Sequence, residues 1–199
     1  MKYIIENTDK LDDEFLNSSI SKLSLRRLRR MDELRTRSDK INCAAAYLLL
    51  RYALRKEYGI IDAPDFRFGK NGKPYLCSRD DIFFNLSHSR NSCACIIDTK
   101  ETACDIADIR HISDNTARYF CSEEEFSKIC TSENKNYELV KLWCIKECRA
   151  KLYGRGLAES FKKLTKGELQ GITVYEGERY VSSFFGEGKP VILGIEDII

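Results

Sequence analysis

Between Ile41 and Tyr58 the chain reads INCAAAYLLLRYALRKEY, with one charge, Arg51, before Arg55. Ala and Leu favour the helix, and so little charge predicts a mostly buried helix ending near Gly59. Such a helix has to be covered over most of its circumference, so the rest of the chain must supply a layer. Three stretches have the pattern of strands. Tyr3-Ile4-Ile5 opens one, followed by a polar, acidic connection to residue 20. DIFFNLSHSRNSCACIID (81–98) reads as two β-rich runs joined by a polar connection, and TACDI (102–106) as a further short strand.

The second half follows the same plan. Ser113 to Phe120 and Ser122 to Cys130 read as short helices, the latter opened by Ser122 with Glu125 three residues on, a capping-box spacing. Residues 137–153 (YELVKLWCIKECRAKLY) form the best amphipathic helix, with Leu139, Leu142, Trp143, Ile145 and Ala150 on its apolar side and Gly154 and Gly156 as stops. Beyond residue 171, ITVYEG, RYVSSFFG and VILGI read as strands separated by glycines. The expected architecture is an α+β protein of two successive halves, 1–100 and 101–199, each with strands and one main helix.

With 43% hydrophobic residues, a 199-residue chain can bury a core, which excludes whole-chain disorder. Thirty-three basic against 31 acidic residues leave +2, too weak a field for an obvious nucleic-acid or membrane-surface binder. Nine cysteines, odd in number and with no CxxC pair, and a start without a signal-peptide core imply a cytoplasmic protein with reduced thiols.

Four constellations carry possible chemistry. Asp105 on a strand and Glu147 on the long helix are the carboxylates a hard divalent ion needs if they meet; otherwise Glu147 pairs on the surface with Lys151 at i,i+4, worth about 0.3–0.5 kcal/mol. Ser87-His88-Ser89 ends a strand. Adjacent strand residues point to opposite faces, which disfavours a Ser–His catalytic pair and leaves either anion donors or a hydrogen-bonded turn. GKNGKP (69–74) lacks the hydroxyl and the length of a phosphate loop and reads as a turn. The arginines of RRLRR (26–30) form a solvated helix face or a receiver for phosphates or an acidic partner.

Taken in order, Gly72-Lys73-Pro74, FNLSHS (84–89), Asp105-Ile106, FCSEEEF (120–126) and the motif with Trp143, Lys146, Glu147, Lys151, Gly154, Gly156 and Leu157 resemble the 4′-phosphopantetheinyl transferases of the surfactin-synthetase-activating type. The resemblance implies a pseudo-dimer of two similar α+β halves, acting as a monomer, with coenzyme A in the cleft between them. It implies transfer of the 4′-phosphopantetheine arm to a serine of an acyl, peptidyl or polyketide carrier protein, with no nucleic acid or membrane involved. By position, Asp105 and Glu147 would be Mg²⁺ ligands, and Glu147 also the base. Lys151 would hold the diphosphate, Ser87 and His88 other coenzyme A phosphates, and Lys73 would lie near the adenine. Arg27 and Arg30 would serve the 3′-phosphate.

Two positions depart from the pattern. Ala107 stands where many relatives carry a further acid, and Asp108, one residue on, would face the other side of a regular strand. Asn42 stands where some relatives have an arginine for the 3′-phosphate. These departures sustain an alternative, a coenzyme A or carrier-protein binding module with reduced or lost turnover; a third option is an interaction protein that uses only its basic patch.

Overall fold

The computed structural model describes residues 1–69, 71–154, 164, 167 and 169–199. The chain opens with strand β1 (Lys2–Glu6), then α1 (Asp13–Ile20), α2 (Leu25–Asp32) and α3 (Arg37–Tyr58). Helix α1 replaces the expected acidic connection. Asp12 caps it by accepting from the Phe15 N–H at 3.1 Å, and Phe15 enters the core. Helix α3 starts four residues before Ile41 because Thr36 caps it, and it stops at Gly59, whose φ of 67° suits a residue without Cβ.

Strands β2 (Phe66–Phe68) and β3 (Pro74–Leu76) flank the expected turn. Then come β4 (Phe83–His88), β5 (Ser92–Asp98), β6 (Cys104–Asp108), α4 (Asp114–Phe120), α5 (Glu123–Cys130), α6 (Lys135–Tyr153), β7 (Ile172–Glu176), β8 (Tyr180–Phe185) and β9 (Val191–Leu193). Gly156 and Leu157 of the tryptophan motif lie outside the described residues.

Two main sheets stack between helical layers. One runs β4-β5-β1-β9 and the other β6-β8-β7, with β2-β3 a separate ribbon. Strand alternation assigns each side chain to a layer. On β1 and β5, Tyr3, Ile5, Cys93, Cys95 and Ile97 pack with α3, whose Ala44, Ala45, Leu49 and Leu50 are fully buried. The intervening Ile4, Ala94 and Ile96 face Cys104, Ile106, Tyr180 and Phe184 of the second sheet. The opposite face of that sheet, through Ala107 and Val181, packs on α4, α5 and α6.

The mixed α+β class is as expected, but the split at residue 100 needs one correction. Strand β9 pairs parallel with β1, and Ile198 enters the core around α3, so the end of the second half completes the first sheet. Local patterning shows that VILGI is a strand and says nothing of its partner.

Helix α6 is locked from behind. Lys146 is fully buried and donates to Phe120 O at 2.8 Å and Glu125 Oε2 at 2.6 Å. The same Glu125 oxygen accepts from the Ser122 N–H at 2.7 Å, closing the capping box of α5. The motif lysine thus faces away from the cleft and ties α6 to the start of α5. Glu125→Ala should lower unfolding free energy by about 3 kcal/mol, because it strips the charge partner from a buried ammonium. Glu123→Ala, at an exposed pair, should change it by less than about 0.5 kcal/mol, both read by urea denaturation.

Candidate active site

Strand β6 lies at the edge of its sheet, where unpaired N–H groups need acceptors. Side chains of β4 provide them. Asn85 Oδ1 accepts from the Cys104 N–H at 3.1 Å and Ser87 Oγ from the Ile106 N–H at 3.3 Å. The two sheets thus meet at this edge through side chains, and a cleft of about 700 Å³ opens beside the seam. Trp143, Glu147 and Lys151 line it from α6, one turn apart on a single stripe. Asp105 and Ala107 reach it from β6, Ser87 and His88 from β4, and Asp39 and Asn42 from the first turns of α3.

At its floor Ser87, Asp105 and Lys151 form a closed triangle. Lys151 Nζ lies 2.6 Å from Asp105 Oδ1 and 2.9 Å from Ser87 Oγ, and Ser87 Oγ donates to the same Asp105 oxygen at 2.8 Å. The ion pair of Lys151 is thus with Asp105, across the cleft, and not with Glu147 on its own helix. Burial alone would weaken the ammonium, but the Asp105 charge more than reverses this and raises the lysine pKa. Glu147 is only 7% exposed. Burial first, and then the Asp105 charge, push its pKa up to about 7, with Lys151 partly opposing. Two carboxylates brought into one cleft under mutual repulsion are an all-oxygen donor pair of the kind Mg²⁺ accepts, so these residues fit such an ion.

A second cavity, of about 760 Å³, adjoins the first; Asp39, Leu86 and His88 line both. Arg26, Arg27, Arg29 and Arg30 of α2 line it opposite Phe66, Phe68 and Pro74 of the β2–β3 ribbon. Arg26 stacks 4.6 Å from the Phe68 ring and donates to Phe66 O at 2.7 Å, which orients α2 against the ribbon. Arg27 lies 4.9 Å above the Tyr47 ring, and Arg30 pairs with Glu33 at 2.9 Å. His88 stands where the cavities join, with its side chain exposed, and the partial desolvation of its ring together with the nearby Lys151 ammonium disfavours its charged form.

Residues 98–190 match the family model described as the 4′-phosphopantetheinyl transferase superfamily. Through that segment, slightly under half of its length, the chain is similar to this superfamily. It is 32% identical over 115 residues to a 4′-phosphopantetheinyl transferase of Bacillus subtilis, covering 56% of this chain and 51% of the relative. To the transferase psf-1 of Bacillus pumilus it is 25% identical over 172 residues, 83% of this chain and 74% of the relative. To the transferase HetI of Nostoc sp. it is 31% identical over 102 residues, 47% and 43% of the two chains. The chain thus spans about half the length of the first of these curated relatives.

Of the residues singled out in the sequence, Asp105, Glu147, Lys151, Ser87 and His88 come together in one cleft, and Arg27 and Arg30 line the adjoining cavity. Lys73 does not line either cavity. Its ammonium is buried against Glu101 and reaches Thr102 O at 3.4 Å and Leu152 O at 3.3 Å, pinning the ribbon to the end of α6. Ser87 spends its hydroxyl on Asp105, Lys151 and the β6 backbone. Asp108 stands clear of the Asp105 triangle, accepting from Ser89 Oγ at 2.6 Å and from the Arg90 N–H at 3.0 Å.

Sequence reasoning missed the cleft residues Asp39, Arg90 and Arg110. Asp39 lies one turn before Asn42, a spacing that could have flagged it; the two arginines carried no local signal.

The raised carboxyl has a stability signature. A Glu whose folded pKa rises from 4.5 to about 7 favours the fold below about pH 4.5, and that contribution is lost as pH climbs to 7. Glu147→Gln removes the ionisation and should therefore gain stability over the parent across this window, by on the order of 2 kcal/mol at pH 8, with little difference at pH 4.5. Urea denaturation at several pH values checks both the sign and the plateau.

Proposed function

We propose that this chain transfers the 4′-phosphopantetheine arm of coenzyme A to a serine of an apo carrier protein, with release of adenosine 3′,5′-bisphosphate. The observation that carries the reading is the convergence of Asp105, Glu147 and Lys151 in a cleft that runs on into an arginine-lined cavity. Coenzyme A has the matching distribution of charge, a diphosphate in the middle and a 3′-phosphate at the nucleotide end. On this reading the diphosphate faces Lys151 and the 3′-phosphate faces Arg27 and Arg30, with His88 between them.

Asp105 and Glu147 would hold Mg²⁺. When bound, the ion offsets charge on the diphosphate and on the leaving group. Glu147, directly or through a water, takes the proton of the carrier serine. The serine oxygen forms a bond to the phosphorus carrying the pantetheine arm, and the bond from that phosphorus to the bridging oxygen of adenosine bisphosphate breaks. Trp143 walls the cleft and packs edge-on against Phe120, 5.2 Å between ring centres, which keeps the Glu147 stripe of α6 in place.

Both halves, 1–100 and 101–199, furnish walls of this cleft, so one chain suffices, consistent with a monomeric pseudo-dimer of two sheet-and-helix units. Among the described residues no helix is long and apolar enough to cross a membrane. All nine cysteines are free, in keeping with a reducing cytoplasm. The arginines of α2 would also attract the acidic surface of a carrier, an attraction that salt weakens.

Mass spectrometry of several apo carriers incubated with the protein, coenzyme A and Mg²⁺ should show addition of the arm, and Glu147→Ala should slow it by roughly 10³-fold. No addition to any carrier would contradict the reading. Ala107 and Asn42 favour a second possibility, a binding module without turnover. If arm transfer occurs only in Ala107→Glu, the binding module is the better description of the natural chain.

A further inference from the structure

Strand β4 ends in a turn, Ser89 to Asn91, that returns the chain to β5. Strand alternation puts Ser87 and Ser89 on one face and Leu86 and His88 on the other. Accordingly, Leu86 and His88 line the arginine cavity, and Ser87 and Ser89 do not. Ser87 is fixed by Asp105 and Lys151. Ser89 is fixed by a second acid of the same strand, Asp108, whose Oδ1 accepts from Ser89 Oγ at 2.6 Å and whose Oδ2 accepts from the Arg90 N–H at 3.0 Å. Each oxygen of that carboxylate therefore holds the turn.

Further bonds tie the turn together. The Ser89 N–H donates to Ser92 O at 2.8 Å, the Asn91 N–H to Ser89 Oγ at 3.2 Å and the Thr8 N–H to Asn91 O at 2.9 Å. Of these partners only Asp108 belongs to the second half of the chain. It is also the charged one, and a hydrogen bond to an ionised acceptor is stronger than one between neutral groups. A side chain whose backbone neighbours on both sides are anchored is held in its pose before a ligand arrives, so less freedom is lost on binding. His88, between Ser87 and Ser89 and at the junction of the two cavities, is in that position.

We infer that Asp108 is a positioning residue for coenzyme A: it holds Ser89 and the Arg90 N–H, and through them fixes His88 at the junction of the cavities without touching the ligand itself. This rests on the coenzyme A reading above, in which His88 lies between the diphosphate and the 3′-phosphate.

Equilibrium dialysis of coenzyme A against the full chain and its variants, each checked for folding by urea denaturation, tests this. Asp108→Ala should weaken coenzyme A binding ~10-fold, the scale of a lost hydrogen bond to a charged group. Asp108→Asn, whose amide still accepts from the Arg90 N–H and bonds to Ser89 Oγ, should stay within ~3-fold of the parent. In a His88→Ala background the same Asp108→Ala change should cost less than ~2-fold, because the loss runs through His88, whereas a general weakening of the fold would cost the same in both backgrounds. If Asp108→Ala does not fold, Ser89→Ala breaks the tie from the other side and takes its place in the cycle. Unchanged affinity in the folded variant, an equal loss in both backgrounds, or an Asp108→Asn protein as weak as Asp108→Ala each overturns the inference and leaves the coenzyme A reading standing. If the parent protein binds no coenzyme A, that reading falls and the inference with it.

Discussion

The seam between β4 and β6 is the constraint from which the site follows. Two sheets that joined edge to edge by backbone hydrogen bonds would close into one surface, with no cleft beside the junction. Here Asn85 and Ser87 reach across and accept from the β6 backbone, satisfying that edge while keeping the sheets distinct. The substitution of side chains for a ladder leaves room at the end of the seam, where Asp105 emerges from the layer under α6. Ser87 serves twice, as acceptor for the Ile106 N–H and as donor to Asp105, so the same hydroxyl that joins the sheets also orients the acid.

Charge in the cleft is kept near balance by position. Asp105 is 5% exposed and Glu147 7%, and both would be costly as isolated ions. Lys151 resolves this for Asp105 by a close ion pair, leaving Glu147 as the acid whose ionisation burial and Asp105 oppose. The pair therefore divides into a carboxylate with a fixed partner and one poised near neutrality, a division that depends on geometry across the cleft. Behind α6, buried Lys146 is paired with Glu125 in the same economical way, and the turn of about 100° per residue sends consecutive residues 146 and 147 to different surroundings, one to anchorage and one to the cleft.

Much of the fold was legible because it is written in short-range patterns. The apolar run of α3, the alternation of β4 and β5, the capping box at Ser122 and the glycine stop at Gly154 each depend on neighbours within a few residues. Helix α1 was hidden because its residues, DEFLNSSI, are largely polar and only Asp12 and the buried Phe15 mark it. Lys73 shows the limit of such patterns: its segment reads as a turn, and nothing local names Glu101 and Leu152, 28 and 79 residues away, which claim its ammonium.

The amino-acid order alone determined most of the helices and strands, though not α1 or the β2–β3 ribbon, that Glu147 and Lys151 share a helix face, and that Ala107 leaves a gap in the acidic complement of β6. Periodicity and residue chemistry are local, so they survive without knowledge of the fold. Only the tertiary structure decided that Lys151 turns to Asp105 instead of Glu147, that β9 returns to lie beside β1, and that an arginine-lined cavity adjoins the carboxylates. Those outcomes depend on contacts between residues tens to nearly two hundred positions apart, where burial and charge are set by neighbours that no local pattern names.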